Sequence, residues 1–412
     1  MKILRLIPFF DPTVGNWAAE ARLLRWMTFL WLLAGLAIMF SASFASAAAD
    51  PNIKDGLYYF KAQLIWITIG LFLFGIIVHL PLRTTLKVAS VGLFIALALL
   101  FATHTSVGET RNESTRWIKF GSFLIQPSEL IKPFLVLQAA QLFGRWQQTK
   151  WQLRLLWLAI FAIALAGILL QPSLSMTALC GITLWTIALG AGLPMSQLLG
   201  TAALGVIVAV ASIASKPYQL KRILSFLNPW LDRAGDGYQL SQSLMAIGSG
   251  GITGVGYGMS GMKLYLPIQD TDFIFGVFAE EFGLIGGIVL IVAILIFGAI
   301  GLRVALKSKD RIVSLVAIGT TVLLVGQSFL NIGVASGALP TTGLPFPLIS
   351  YGGSSMLSSL IVAGLLVRSA REVSSAEVIP LQPKRNDRSP NSRPTRSESR
   401  DERQARLAAK RQ

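Results

Sequence analysis

Repeated apolar stretches of about 20 residues constrain the fold of this chain more than any other feature of its sequence. A helix needs about 20 apolar residues to span the hydrocarbon core of a bilayer. Because 53% of the residues are hydrophobic and only 14% are charged, the chain is too apolar for a soluble protein. The sequence therefore predicts an all-α polytopic membrane protein with about ten transmembrane helices. We place the spans at residues 24–46, 58–80, 85–103, 127–144, 153–171, 175–193, 197–214, 273–301, 312–334 and 346–369.

The composition divides the chain into three regions. Residues 1–23 form a cytoplasmic N-terminal lead-in, and residues 24–370 form the membrane domain, with a large outward loop at 215–272 between spans seven and eight. Residues 371–412 are rich in Ser, Pro and Arg, which predicts a disordered basic tail in the cytoplasm. This tail either anchors the topology by attraction to anionic membrane lipid or binds a cytoplasmic partner. Nucleic-acid binding is not expected, because the tail lacks aromatic residues for base stacking.

The distribution of Lys and Arg in the short loops predicts the orientation of the chain in the cytoplasmic (inner) membrane. These cations fall on one side if the N-terminus is cytoplasmic, and ten spans then leave the C-terminus in the cytoplasm too. The loops at 104–126 and 215–272 face outward, yet they also contain Lys and Arg, so these outward cations need a functional reason. The short-loop cations are Arg22, Arg25, Arg83, Lys87, Arg145, Lys150, Arg154, Arg303, Lys307, Lys309 and Arg311.

Histidine and cysteine do not indicate a metal or disulfide site. Cys180 is the single cysteine and lies inside a predicted span, so an intrachain disulfide is excluded. The two histidines, His79 and His104, are far apart in sequence. We therefore name no metal ligands, although a divalent cation could assist the chemistry of a carboxylate site.

Polar residues inside the predicted spans mark the candidate functional positions, because charges at membrane depth are costly. A spacing of three or four residues places two pairs of them each on one helical face. For both pairs, contacts between helices and a direct role in chemistry are equally open interpretations. The residues are Glu129 with Lys132 in span four, Gln327 with Asn331 in span nine, and the adjacent Glu280 and Glu281 in span eight.

Asp272 lies immediately before the eighth span, about 12 Å from the depth of Glu280 at 1.5 Å per helical residue. A carboxylate at a helix N-terminus is favoured by the helix dipole, which is the structural interpretation. A carboxylate at the outer boundary of the membrane can also act as a general base. The spacing alone leaves both interpretations open.

A glycine-rich segment lies in the second outward loop, between residues 248 and 261. Residues 256–261 match the pattern G-x-G-x-x-G, but no strand–helix unit surrounds them, so a dinucleotide site is rejected. We expect the glycines to build a tight re-entrant backbone that lines a cavity.

Several segments of residues 24–370 resemble the SEDS family, and the closing signature at 339–355 is the most specific of them. The signature is nearer to the FtsW branch of that family than to the RodA branch. The matching segments are Arg116-Trp117-Ile118, Gln126 to Lys132, Gly237-Tyr238-Gln239, Gln242-Ser243-Leu244, Gly248 to Gly251, Lys263 to Pro267, Thr271-Asp272-Phe273-Ile274-Phe275, Glu280-Glu281-Phe282-Gly283 and Leu339 to Ser355.

The resemblance implies a peptidoglycan glycosyltransferase that polymerises lipid II into glycan strands at the outer face of the membrane, for septal synthesis in cell division. Asp272 would be the general base that deprotonates the acceptor sugar hydroxyl. Arg116, Lys263 and Lys132 would supply positive charge to the departing lipid pyrophosphate. Glu129, Gln239 and Ser243 complete the residues that the resemblance assigns to substrate binding, while Glu280, Glu281, Gln327 and Asn331 are intramembrane polar residues with structural roles.

One departure from the family pattern lies after the fifth span. Family members usually have an acidic or amide residue in a Pro-Asp-Leu-like element there. This chain has Ser173 at that position, within Gln171-Pro172-Ser173-Leu174-Ser175. A role that depends on the carboxylate does not transfer to this chain.

Other functions remain open on the sequence. A lipid II flippase or other transporter also uses buried charges and broken helices. A RodA-like elongation polymerase has the same chemistry, and a non-catalytic scaffold would only recruit other division proteins. The resemblance implies a single-pass class B penicillin-binding protein, a transpeptidase, as the partner.

Overall fold

The computed structural model describes residues 11–51, 53–111, 114–121, 123–267 and 269–377. Within these ranges the chain is mainly helical. Of the predicted tail at 371–412, residues 371–377 continue α12 as helix, and residues 378–412 lie outside the described residues, as do the first ten residues of the lead-in. The helices are α1 Ala19–Ala49, α2 Tyr58–His79, α3 Leu82–Ala102, α4 Pro127–Gly144, α5 Trp151–Leu170, α6 Leu174–Gly190, α7 Met195–Ser215, α8 Pro217–Leu227, α9 Tyr238–Gly250, α10 Ile274–Lys307, α11 Arg311–Ala335 and α12 Gly353–Glu377.

Eight of the described helices are long and apolar enough to cross a membrane: α1, α2, α3, α5, α7, α10, α11 and α12. The prediction of a helical, multi-pass membrane protein is therefore confirmed. The predicted sixth span corresponds to α6, which is apolar but has 17 residues. The predicted fourth span corresponds to α4, which is less apolar because it carries Glu129, Lys132 and Gln138. The count of ten spans stays a prediction.

Helix α4 can carry these polar residues because neighbouring helices surround it. It packs against α3, α6, α11 and α12. On this helix, the side chains of Glu129, Lys132 and Gln138 are all buried. A polar helix is stable in a membrane when its polar side chains face other helices instead of lipid.

Two helices begin at residues that differ from the start of the predicted span. Helix α1 begins at Ala19, inside the predicted lead-in. Its charged first turns are stable because Arg25 is buried with its guanidinium 5.1 Å from the centre of the Trp26 ring. The predicted tenth span starts too early, because residues 346–352 are not helical and α12 begins at Gly353. Proline at 347 removes a backbone donor there, and Gly352 has a φ of 153°.

A small antiparallel sheet interrupts the expected all-α fold in the loop at 104–126. Strand β1 spans Gly108–Arg111, β2 spans Ser114–Phe120 and β3 spans Phe123–Ile125. Their order is β1-β2-β3, and Ile118 of β2 pairs with both Gly108 and Ile125. Strand β3 is separated from α4 by Gln126 alone. The N–H of Gln126 donates to the hydroxyl of Ser354 at 2.9 Å, which ties this junction to α12.

Helix α10 is broken at Gly283, which has φ 62° and ψ −165°. Only glycine adopts this conformation readily. The glycine-rich segment that follows α9 satisfies the freed backbone groups on both sides of the break. The N–H of Val255 donates to the carbonyl of Glu280 at 3.0 Å, and the N–H of Leu284 donates to the carbonyl of Gly251 at 3.0 Å. The glycines thus form a tight backbone packed against α10.

Candidate active site

Asp272 lies in a short connection that is fixed by three successive backbone carbonyls. The N–H of Tyr351 donates to the carbonyl of Asp270 at 2.8 Å. The hydroxyl of Ser350 donates to the carbonyl of Thr271 at 2.5 Å. The side-chain amide of Asn331 donates to the carbonyl of Asp272 at 2.8 Å. The backbone that carries the carboxylate is therefore held from α11 and from the segment before α12.

The segment at 339–352 is itself anchored to the bundle. The same Asn331 amide donates to the carbonyl of Leu344 at 2.9 Å, and the Gln327 amide donates to the carbonyl of Pro345 at 2.8 Å. The N–H of Phe346 donates to Ser350 Oγ at 2.8 Å. The closing signature therefore contains the residues that hold Asp272 in place. The need to hold Asp272 gives a structural reason for the specific residues of this signature.

The carboxylate of Asp272 does not cap helix α10. The residue at the N-cap position is Phe273, and no side chain forms a cap hydrogen bond there. Asp272 is half-buried. The geometry therefore does not support a helix cap, while the favourable position of the carboxylate near the N-terminal end of the α10 dipole stays an alternative interpretation.

Arg116 approaches Asp272 from the middle of β2. Its Nε donates to the carbonyl of Gln171 at 2.8 Å, and one terminal nitrogen donates to the carbonyl of Pro172 at 2.6 Å. Gly343 lies between the two charges. A Cβ placed on Gly343 would lie 3.6 Å from Oδ2 of Asp272 and 4.0 Å from Nη1 of Arg116. The carboxylate and the guanidinium therefore line one space in front of this glycine.

Arg222 is a second cation of the site, and the motifs in the sequence did not indicate it. It lies on α8 and its guanidinium stacks 5.1 Å from the centre of the Tyr218 ring. One terminal nitrogen donates to the carbonyl of Thr341 at 3.3 Å. The Tyr218 hydroxyl donates at 2.8 Å to the Pro172 carbonyl, which Arg116 also contacts. The available signal was an outward-loop cation on a strongly amphipathic segment.

The electrostatics of the site favour a carboxylate that can exchange a proton near neutral pH. Burial raises the pKa of Asp272 to about 6, Arg222 and Arg116 oppose this increase, and Asp270 adds to it. Burial also raises the pKa of Asp270 above its usual value. Burial lowers the pKa of the Arg116 guanidinium, which remains a cation at all relevant pH values. A base with a pKa of about 6 is mostly ionised at pH 7 and still accepts a proton readily.

Lys263 belongs to a different cluster. Its Nζ donates to the carbonyl of Gly258 at 2.7 Å and lies 3.9 Å from Oε1 of Glu281. These contacts join the glycine-rich loop to α10, and a role of Lys263 beside the departing pyrophosphate stays a prediction.

Glu280 and Glu281 fasten the glycine-rich loop to α10. Glu280 accepts hydrogen bonds from the hydroxyl of Ser260 and from the N–H of Gly261, the latter at 3.1 Å. Glu281 accepts from the hydroxyl of Ser41 on α1. Both carboxylates are buried. These contacts fit the structural role expected for the pair.

Lys132 forms a buried ion pair on α4. Its Nζ lies 2.6 Å from Oε2 of Glu129 and donates to Oε1 of Gln327 at 2.8 Å. The three side chains join α4 to α11. This geometry fits the interpretation as contacts between helices, and a role of Lys132 in pyrophosphate binding stays a prediction.

The remaining predicted substrate residues lie on α9. The hydroxyl of Ser243 is buried and donates to the carbonyl of Ala335 at 2.7 Å, which joins α9 to the end of α11. Gln239 is half-buried one turn earlier on the same helix. Ser243 is thus engaged in packing, whereas Gln239 keeps part of its surface accessible.

The segment 171–175, which has Ser173 in place of an acidic residue, contacts the site through its backbone carbonyls. The carbonyls of Gln171 and Pro172 accept the hydrogen bonds of Arg116. Ser173 is buried, and its own carbonyl accepts from the hydroxyl of Thr177 at 2.9 Å. A side-chain carboxylate at position 173 is therefore not needed to hold Arg116.

A dedicated metal centre is not apparent in the part of the chain that the structure describes. No three His, Cys, Asp or Glu side chains come together there. Asp270 and Asp272 are the two carboxylates at the site. The described residues define no ligand set for a divalent cation.

The helical bundle and the polar site at one end of α10 define a multi-pass membrane protein with a preformed acid–cation pair. The sequence model of the family FtsW/RodA/SpoVE, described as "Cell cycle protein", matches residues 21–375. The chain belongs to this family, which is the SEDS family that its motifs resemble.

Individual relatives are similar over nearly the whole chain. A Synechocystis protein named "Probable peptidoglycan glycosyltransferase FtsW" is 54% identical over 92% of this chain and 96% of its own length. "Stage V sporulation protein E" of Bacillus subtilis is 35% identical over 84% of this chain and 95% of its own length.

Solved structures have the same fold. A chain from "Structural coordination of polymerization and crosslinking by a peptidoglycan synthase complex" matches with a TM-score of 0.68 and 28% identity, over 84% of this chain and 98% of that chain. The rod shape determining protein RodA of Thermus thermophilus matches with a TM-score of 0.61 and 26% identity, over 84% of this chain and 96% of that chain.

Proposed function

We propose that this chain is a peptidoglycan glycosyltransferase that polymerises lipid II at the outer face of the cytoplasmic membrane. The observation that carries the proposal is the Asp272 carboxylate, which is fixed by three backbone contacts and shares one space with Arg116. The names of the relatives support the same activity. A fixed carboxylate beside fixed cations suits a reaction that removes a proton and releases an anion.

In the proposed reaction, the hydroxyl of the acceptor sugar attacks the anomeric carbon of the lipid-linked donor strand. Asp272 accepts the hydroxyl proton while the new glycosidic C–O bond forms. The bond from the anomeric carbon to the lipid pyrophosphate breaks, and its electron pair leaves with the pyrophosphate. A single base opposite the leaving group predicts inversion at the anomeric centre.

Arg116 and Arg222 are the proposed partners of the departing pyrophosphate. Both arginines are held by backbone carbonyls, so little reorganisation is needed when the negative charge develops. An arginine also matches phosphate oxygens in geometry as well as in charge. The two arginines are the main partners of the pyrophosphate in this proposal, and the contribution that the resemblance implies for Lys263 and Lys132 stays a prediction.

A role in septal synthesis during cell division is the proposed biological context. It is supported by the closing signature and by relatives that carry the name FtsW. A single-pass class B penicillin-binding protein is the proposed partner, supported by a similar chain that comes from a synthase complex of polymerization and crosslinking. Other division proteins, and membrane lipid at the basic tail, complete the proposed partners.

The test is polymerisation of purified lipid II by the full chain in proteoliposomes, alone and with the transpeptidase partner. We expect glycan strands with a partner-dependent rate, and about a 10²-fold loss of turnover in Arg222→Gln. Lys263→Ala serves as the comparison, because Lys263 contacts Glu281 and Gly258 instead of the site. Translocation of lipid II without any polymer would instead identify a transporter.

A further inference from the structure

Helix α8 has its polar and apolar faces reversed relative to a surface helix in water. Its leucines at positions 220, 224 and 227 are 46%, 57% and 70% exposed. A spacing of four and three residues places them on one face, which we call the leucine stripe (Leu220, Leu224, Leu227). A helix at a water-exposed surface normally turns such a stripe toward the core.

The polar face of α8 points toward the protein. Gln219 is buried and accepts from the hydroxyl of Ser212 on α7 at 3.0 Å. Tyr218 and Arg222 contact the carbonyls of Pro172 and Thr341, as described above. Tyr218 and Arg222 therefore face the candidate active site, Gln219 contacts α7, and the leucine stripe is exposed.

The leucine stripe continues the exposed apolar surface of α7, a helix long and apolar enough to cross a membrane. Lys216 is the single residue between α7 and α8, so α8 begins where a predicted span ends. Helix α7 exposes large apolar side chains along its length, including Leu204 at 60% and Val210 at 60%. The Nζ of Lys216 donates to the carbonyl of Leu169 at the end of α5, which holds this corner. The exposed apolar surface thus runs from α7 onto α8.

The segment after α8 has the residue types found at a membrane interface. Leu231 is 83% exposed, and the Arg233 guanidinium stacks 4.9 Å from the ring centre of the exposed Trp230. Lys221 lies about 100° around α8 from Leu220, at 3.6 residues per turn. Its exposed Nζ is 3.6 Å from the carboxylate of Asp236. Tryptophan with neighbouring cations is typical of the level of the lipid headgroups.

We propose that the leucine stripe inserts into the outer leaflet of the membrane, and that this lipid contact positions Tyr218 and Arg222 at the active site. The occupant of the stripe is the acyl-chain region just below the headgroups, as for an interfacial amphipathic helix. The assignment of the leaflet and the effect on turnover rest on the proposed function. The contact of the leucine stripe with lipid is independent of the proposed function.

The first test measures how deeply α8 lies in the bilayer, and it does not depend on enzymatic activity. The buried Cys180 is replaced by alanine, and single cysteines are placed by Leu224→Cys and by Lys221→Cys in the full chain. Each is labelled with the environment-sensitive dye NBD in phosphatidylcholine–phosphatidylglycerol liposomes. We expect lipid spin-labelled near the top of the acyl chain to quench the label at 224, and aqueous iodide to quench the label at 221. Equal quenching of both labels by iodide would overturn the lipid contact.

The second test asks whether the leucine stripe positions Arg222 at the active site. The double variant Leu220→Gln/Leu224→Gln is compared with Leu220→Ile/Leu224→Ile, which keeps an apolar stripe. We expect the glutamine pair to lower kcat about as much as Arg222→Gln, roughly 10²-fold, and the isoleucine pair to keep the rate of the unmodified protein. Adding Arg222→Gln to the glutamine pair should cause little further loss, because both changes remove the same positioned cation.

The outcomes separate the two ideas. A glutamine pair with unchanged kcat, or losses that multiply fully with Arg222→Gln, would overturn the positioning role. If the unmodified chain makes no polymer, the proposed function fails, and the quenching measurement still decides whether the stripe lies in lipid.

Discussion

At the residue scale, the chemistry of the site depends on how Asp272 is surrounded. The sequence identified Asp272 and Arg116, because a charge at the edge of a span and an outward cation are unusual against an apolar background. It did not identify Asp270 or Arg222 as part of the site. Asp270 lies two residues from Asp272 in the same connection, whereas Arg222 approaches the site from α8, which contacts the carbonyls of Pro172 and Thr341. No local pattern in the sequence encodes that approach of α8.

The raised pKa of Asp272 predicts the pH dependence of polymerisation. The base must be ionised, so the rate should fall as the pH drops through about 6. Arg222 lowers this pKa, so Arg222→Gln should move the acidic limb of the rate profile to higher pH. Asp270 raises it, so Asp270→Asn should move the limb to lower pH. Profiles of kcat/KM for the two variants check these opposite shifts, and shifts in the same direction would contradict the electrostatic account.

At the element scale, backbone conformation at a few positions decides the local fold. The sequence indicated a tight glycine-rich backbone but not its partner, the break in α10 at Gly283. The sheet β1–β3 was also missed. Its strands have three to seven residues, which is too short for a clear alternating pattern. The sheet matters because β2 carries Arg116 to the site.

Gly283→Ala should destabilise the protein by about 2 kcal/mol or more, because alanine does not fit a φ of 62° with a ψ of −165°. A Cβ there would also lie 2.3 Å from the backbone nitrogen of Gly254. The matched control is Gly287→Ala on the same helix, where the nearest atom to a new Cβ is 4.0 Å away. Thermal unfolding in detergent compares them. Equal unfolding temperatures for the two variants would contradict the proposed constraint at the break.

The buried pair on α4 gives a second prediction at this scale. Lys132→Ala leaves the fully buried Glu129 carboxylate without its cation and should cost about 3–5 kcal/mol of stability. The double variant Glu129→Leu/Lys132→Leu removes both charges and should recover most of that loss. Unfolding by sodium dodecyl sulfate titration measures both free energies. A double variant that is less stable than Lys132→Ala would indicate that the pair itself stabilises the bundle.

At the scale of the whole molecule, the spans could be predicted from the sequence because of the requirements of the bilayer, whereas the contacts between helices could not. Long apolar runs must become helices in lipid, so eight of the expected spans match long apolar helices among the described residues. The roles of Lys132 and Lys263 were not predictable in the same way. A buried cation has to pair with whichever anion the bundle brings near, and sequence spacing cannot identify a partner on another helix.

The orientation can be tested on the intact chain. We expect Ala234→Cys, in the loop that carries α8, to react with a membrane-impermeant maleimide applied from outside, because that loop is proposed to be external. Ser308→Cys, between α10 and α11, should react only after the membrane is opened. The buried Cys180 serves as an internal background. The reverse labelling pattern would place the candidate site on the cytoplasmic side and remove its access to the outer face.

The most direct test of the central claim is glycan synthesis by Asp272→Asn. Asparagine keeps the shape of the side chain and can accept a hydrogen bond, but it cannot take up a proton at neutral pH. The backbone contacts that fix position 272 do not involve the carboxylate, so the variant should insert, bind its partner and bind lipid II. We predict a loss of polymerisation of about 10²–10⁴-fold, as for removal of a general base. Glycan strands made by a well-folded Asp272→Asn protein at nearly the rate of the unmodified chain would contradict the assignment.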